Sequence, residues 1–130
     1  MVLLSEFISQ TELIPKVTSN NTTLQQILDY CGQNFDKDIS LDDVSSALYI
    51  SKDHISFLFN KKLNIQFNQY INSLRVNKAC TLMKQQKKSL AYIAEESGFG
   101  SIRTFNRVFK QTMNITPLKY YKEINKNGDT

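Results

Sequence analysis

The 130-residue sequence has no tryptophan, one histidine, two prolines, two cysteines and four glycines. Each shortage excludes a class of protein. His54 and the isolated Cys31 and Cys80 are too few for a zinc site. With no CxxC pair, the cysteines read as small buried hydrophobes in a reducing compartment. Gly32, Gly98, Gly100 and Gly128 form neither a phosphate-binding loop nor a dinucleotide fingerprint. No GxSxG and no catalytic constellation occur, so the expectation is a non-enzyme with no metal and no cofactor. No apolar run approaches the roughly 20 residues that span a bilayer. The apolar start lacks a basic lead and is interrupted by Glu6. The expected location is the cytoplasm, with no membrane partner.

Hydrophobic residues make up 41% of the chain and charged residues 22%, enough for one compact domain or two small ones sharing a core. Net charge is +4, unevenly spread: residues 1–50 carry seven acids against two lysines, and residues 51–130 carry fourteen Lys and Arg against five acids. That asymmetry points the later part of the chain at a polyanion.

Residues 1–22 read as a tail or the remnant of an interdomain linker, with Pro15 and the polar, turn-prone "TSNNTT". Helical periodicity follows. Leu24, Ile27, Leu28, Cys31 and Phe35 form one apolar stripe. Ser40 stands as an N-cap before Asp42 and Asp43, with Leu41, Val44, Ala47 and Leu48 as that helix's apolar face. Ser51 caps a helix through about Lys62. Residues 67–86 form a long helix apolar on two sides, which suits a link between two packed units. Pro117 begins a last helix, capped by Thr116. Asn64 and Asn114 stand where helices end in a left-handed residue. The boundaries drawn are 23–66 and 87–125 for the two units, and 126–130 for a C-terminal tail.

The two units repeat. Leu41, Val44 and Ile50 match Leu90, Ile93 and Phe99 at an offset of 49 residues. Ser51, Ile55, Leu58, Phe59, Asn64, Ile65 and Tyr70 match Ser101, Phe105, Val108, Phe109, Asn114, Ile115 and Tyr120 at an offset of 50. One residue is inserted at the turn holding Gly98 and Gly100. The expected fold is all-α: two helix–turn–helix subdomains joined by the long helix. In such a unit an apolar face anchors the second helix so that its opposite face can enter a major groove. In the second unit Phe105, Val108, Phe109 and Thr112 fall on the anchoring side. Arg103, Asn106 and Arg107, with Ile102, are the base-reading candidates, because Arg bonds guanine bidentately. Lys110, Ser101 and Thr104 suit phosphates.

These motifs resemble the DNA-binding domain of the AraC/XylS family of bacterial transcription regulators. The family's second half is matched by Ile93-Ala94 with Gly98-Phe99, by Phe105, Arg107 and Phe109-Lys110, and by Ile115-Thr116-Pro117 with Tyr120. Its first half is matched by Ser51, Ile55, Phe59, Asn60 and Lys61, and its linking helix by Phe67, Tyr70, Arg75, Ala79 and Leu82. The match covers about residues 24–122. Three departures stand out: Ser45 for an alanine, Asn64 and Asn114 for glycine caps, and Tyr121 for an arginine. The resemblance implies about seven helices and two recognition helices in successive major grooves. It also implies an activator, with RNA polymerase as a further partner. Family members usually carry a sensing domain, and the linker-like start favours a domain of a longer regulator over a small stand-alone member. The isolated domain is expected to be monomeric.

The halves are not equivalent. On the first recognition helix Asp53, Ser56, Phe57 and Asn60 face outward, with Ser51, Lys52, His54, Lys61 and Lys62 as phosphate candidates at its margins. Asp53 suits either a cytosine amino group or the helix dipole. Phe57 suits either thymine methyls or the core, and His54 a phosphate or a packing contact. Two rival functions are weighed: an all-helical co-regulator that touches RNA polymerase without reading DNA, and a nonspecific nucleic-acid binder.

Overall fold

A computed structural model describes the backbone of residues 19–85 and 88–128, and the side chains of 22–85 and 88–125. Seven α-helices run in order among these residues: α1 Ser19–Asn34, α2 Leu41–Leu48, α3 Lys52–Leu58, α4 Phe67–Gln85, α5 Leu90–Glu96, α6 Ile102–Met113 and α7 Pro117–Gly128. The chain leaves α3 through a wider π-helical turn, Phe59–Leu63, where a single α-helix was expected. The helix starts are chemically explicit. Ser40 and Asp43 form a reciprocal capping box, each side chain taking the other's backbone N–H, at 3.2 and 2.9 Å. Ser51, Ser89, Ser101 and Thr116 cap the starts of α3, α5, α6 and α7 from one side only, each hydroxyl accepting the backbone N–H three residues on. Asn64 and Asn114 end their helices in the left-handed region, at φ 57° and 63°. Both asparagines thus take the conformation expected of them.

Four boundaries or faces differ from expectation. α1 begins at Ser19, inside the polar run, and α7 continues to Gly128. The rest of the expected tail, residues 1–18, lies outside the described residues. Ala47 is exposed. At 3.6 residues per turn it sits on the opposite flank of Val44 from Leu41 and Leu48, and the core lies on their side. Thr112 is also exposed, because Met113 and Ile115 cover that end of the core.

Two apolar clusters form. The first centres on Ile27, Cys31, Val44, Ile55, Leu58 and Phe59, the second on Ile93, Ala94, Phe99, Phe105, Val108 and Phe109. The linking helix α4 serves both: Phe67 and Ile71 enter the first, and Val76, Ala79 and Met83 the second. Cys31 is fully buried, and burial pushes its thiol up to about 12. Cys80 is only half-buried.

The departures have structural roles. The Ser45 hydroxyl donates to the Ile50 carbonyl at 2.6 Å, bracing the turn before α3. The Tyr121 hydroxyl donates to the Lys88 carbonyl at 2.7 Å, tying α7 to the segment before α5. Arg75, one of the matching residues, donates from α4 to the carbonyls of Phe35 and Lys37, at 2.7 and 2.9 Å.

Candidate nucleic-acid interface

The repeat inferred from residue types is also a repeat of burial. Along α3 and its π turn, and along α6, matched positions share one burial class everywhere except Ser56 and Asn106. Ile55, Leu58 and Phe59 fill the first core as Phe105, Val108 and Phe109 fill the second. The rings reinforce this anchoring. Phe59 packs against Phe67 and Tyr70 at 5.6 and 5.5 Å, and Phe109 against Phe105 and Tyr120 at 5.6 Å each. Two helices are thus each fixed by one face, with the other face free.

On α6 the free face is cationic. Arg103, Asn106, Arg107 and Lys110 are exposed, and none has an ion pair or side-chain hydrogen bond among the described residues. Ile102 adds an exposed apolar side chain at the helix start. The Ser101 hydroxyl is engaged twice, accepting from the Thr104 amide and donating to the Thr104 hydroxyl, both at 3.1 Å. Ser101 and the half-buried Thr104 therefore build the helix start, and the Thr104 hydroxyl proton stays available to an acceptor.

The α3 face is different. Asp53 is exposed in the first turn, where the helix dipole favours an acid. Ser51 caps the helix, accepting from the His54 amide at 3.1 Å. Phe57 is 50% exposed, so it does not complete the core. The half-buried His54 ring lies parallel to it, at 6.3 Å between centroids and 12° between planes. Ser56 is half-buried and lines a polar recess with Asn60, Gln66 and Asn68, so it faces outward less than expected. Asn60, Lys61 and Lys62 are exposed on the π turn. Lys52 is engaged elsewhere: its ammonium lies 2.8 Å from the Asp42 carboxylate, whose hydrogen bond and charge raise the lysine's pKa.

Ile102, Arg103, Asn106, Arg107 and Lys110 thus share one exposed surface on α6, with Ser101 and the half-buried Thr104 at the helix start, whereas on α3 Lys52 and Ser56 turn aside. Sequence reasoning missed the Lys52–Asp42 pair, the π turn and the left-handed Tyr49, at φ 59° and 94% exposed. The last was legible in principle, since Tyr49 aligns with Gly98.

Comparison with known proteins agrees with this geometry. A family profile described as a helix-turn-helix domain matches residues 44–123. The regulatory protein PocR of Salmonella typhimurium is 34% identical over 111 residues, which are 85% of this chain and 37% of PocR. The chain thus spans little more than a third of that relative. The multiple antibiotic resistance protein MarA of Escherichia coli is 33% identical over 98 residues, 75% of this chain and 77% of MarA. Among solved structures, an AraC-type DNA-binding-domain transcriptional regulator from Chromobacterium violaceum is 25% identical with a TM-score of 0.74. That match covers 82% of this chain and 95% of the other. The chain belongs to the AraC/XylS family of helix–turn–helix DNA-binding domains.

Proposed function

We propose that this chain is the sequence-reading unit of a transcription regulator that docks α3 and α6 in two successive major grooves. One observation carries this reading: the unpaired, exposed row Arg103, Asn106, Arg107 and Lys110 stands over a fully buried anchor whose layout recurs on α3. Arg103 and Arg107 are assigned to base edges, since a bidentate guanidinium distinguishes guanine. Lys61, Lys62 and Lys110 are assigned to phosphates. Asp53, Phe57 and Asn60 give the α3 half a weaker, largely apolar and amide-based preference. Because both readers lie on one chain, a monomer suffices, and its site is two unlike boxes about 34 Å apart on one face of the duplex.

The test is competition binding of the purified chain to a duplex selected from a random pool, against random DNA. Specific retention of an asymmetric, bipartite footprint with one chain per duplex supports the reading. A symmetric footprint with two chains, or equal competition by random DNA, refutes it. The first result would mean a dimer using one reader per subunit, the second a nonspecific binder.

The finer role we infer is that of a cytoplasmic activator that also touches RNA polymerase. The family relation supports it. Transcription reconstituted with purified polymerase is the check. Increased transcript from a promoter bearing the selected site supports activation, and decreased transcript makes the protein a repressor.

A further inference from the structure

The linking helix α4 sets how far apart the two units stand and, through the faces it gives each core, how they are turned; a joint beside it would stiffen that arrangement. A second joint exists. The segment between α1 and α2 reaches across α4 to the turn of the second unit. On α4, Arg75 holds two carbonyls of that segment, Phe35 and Lys37, at 2.7 and 2.9 Å. Lys78 pairs with the Asp36 carboxylate at 3.1 Å and lies 5.9 Å from the centre of the Phe35 ring. On the far side, Gly98 presses against the same segment. A Cβ at Gly98 would stand 2.7 Å from Asp36 Cα and 2.8 Å from the Phe35 carbonyl oxygen.

The repeat shows why glycine stands there. Tyr49 occupies the matching place in the first turn, also at positive φ, with 94% of its surface in water. The first turn, at φ 59°, therefore tolerates a side chain. At position 98 two things exclude one: the wider φ of 96°, which favours glycine, and the backbone of Phe35 and Asp36.

We propose that Arg75, Lys78, Asp36 and Gly98 are positioning residues that lock the two helix–turn–helix units in one orientation and so set the spacing of the DNA boxes the protein accepts. The proposal rests on the two-groove reading above. Its physical basis is effective concentration. A locked pair delivers its second reader at high local concentration to the matched groove and at almost none to a displaced one. Adding one base pair between the boxes displaces the second by about 3.4 Å and rotates it by about 35°. A loosened pair forfeits affinity on the matched site but follows the displaced box.

The experiment measures binding of the purified chain to the selected duplex, to versions with one base pair added or removed between the boxes, and to each box alone. The variants are Gly98→Ala, which separates the contact, and Arg75→Lys, which keeps the charge but loses the fork that holds two carbonyls. The wild type should lose about 100-fold on the altered spacings, and the variants less than about 10-fold, with single-box affinity within about twofold of wild type. A spacing penalty unchanged in folded variants overturns the proposal. Equal wild-type affinity for the full duplex and a single box refutes the two-groove reading instead. Should the variants fail to fold, residual dipolar couplings of the free wild type decide. One alignment tensor fitting residues 24–66 and 90–122 together supports the lock, and two different tensors overturn it.

Discussion

Removing one cation from the interface gives a quantitative test of where the charge on this protein goes. Five cations on the two readers are exposed and unpaired: Lys61, Lys62, Arg103, Arg107 and Lys110. Lys52 is not counted, because its charge is matched by Asp42 at 2.8 Å. If each of the five displaces one condensed counterion, the two arginines doing so from within the groove between its phosphates, the slope of log K on log salt is about −4.5. Between about 50 and 200 mM salt the affinity should then fall about 500-fold. Lys61→Ala should reduce the slope to about −3.6 and weaken all sequences alike, because a phosphate contact carries no base information. Lys52→Ala should leave the slope near its original value, whereas Asp42→Asn should release the lysine and steepen the slope towards about −5.4. Fluorescence anisotropy on a labelled duplex across a salt series measures all four proteins. A wild-type slope shallower than about −2 would refute the interface, and equal effects of Lys52→Ala and Lys61→Ala would refute the charge assignment.

Arg103→Ala and Arg107→Ala should each cost about 1–3 kcal/mol on the selected duplex and relax preference at one base pair, as read by competition with single-base variants. If both leave preference intact, the reading face is misplaced. Phe109→Ala should cost about 3–5 kcal/mol in denaturant unfolding, with hydrogen exchange speeding up first in α5–α7. Faster exchange confined to α1–α3 would contradict the division into two cores. Burial raises the Cys31 pKa from 9.0 to about 12, so the folded state favours the neutral thiol. Its contribution to stability is therefore full below pH 9 and is lost as pH climbs from 9 through about 12. Cys31→Ala should flatten part of that alkaline decline in a denaturation series, and an unchanged slope would show the thiol to be unimportant.

The fold was legible in the sequence because its signals are local. N-cap serines, asparagines after helices and apolar faces at helical spacing act over four or five residues, and a repeat doubles each of them. What escaped depends on groups distant in sequence or on fine geometry. Lys52 meets Asp42 across a turn, and Arg75 reaches carbonyls about forty residues earlier. No periodicity encodes either. Ser56 failed as an outward residue for a related reason: α2 and α4 come together beside it, and the recess they form with α3 lies outside any single-helix projection. Phe57 could not be placed from sequence because it borders the apolar stripe; packing left it in water beside His54. Tyr49 reversed the usual inference, since an aromatic residue argues against a left-handed turn even where the repeat demands one.

The shared burial register of α3 and α6 makes the two readers interchangeable as cassettes. Asp53, Ser56, Phe57 and Asn60 correspond one for one with Arg103, Asn106, Arg107 and Lys110, and only the Ser56–Asn106 pair differs in burial. Grafting the second set onto α3 would leave Ile55, Leu58 and Phe59 untouched, so the folding cost is confined to losing the Asp53 charge at the helix start and fitting an amide in place of the half-buried Ser56. The product would carry one reader twice, and its preferred target would become a direct repeat. The same separation gives a lineage room to drift. On the proposed two-groove reading, one half of a target site would be re-matched by changing four surface side chains while the other half keeps the protein on its DNA.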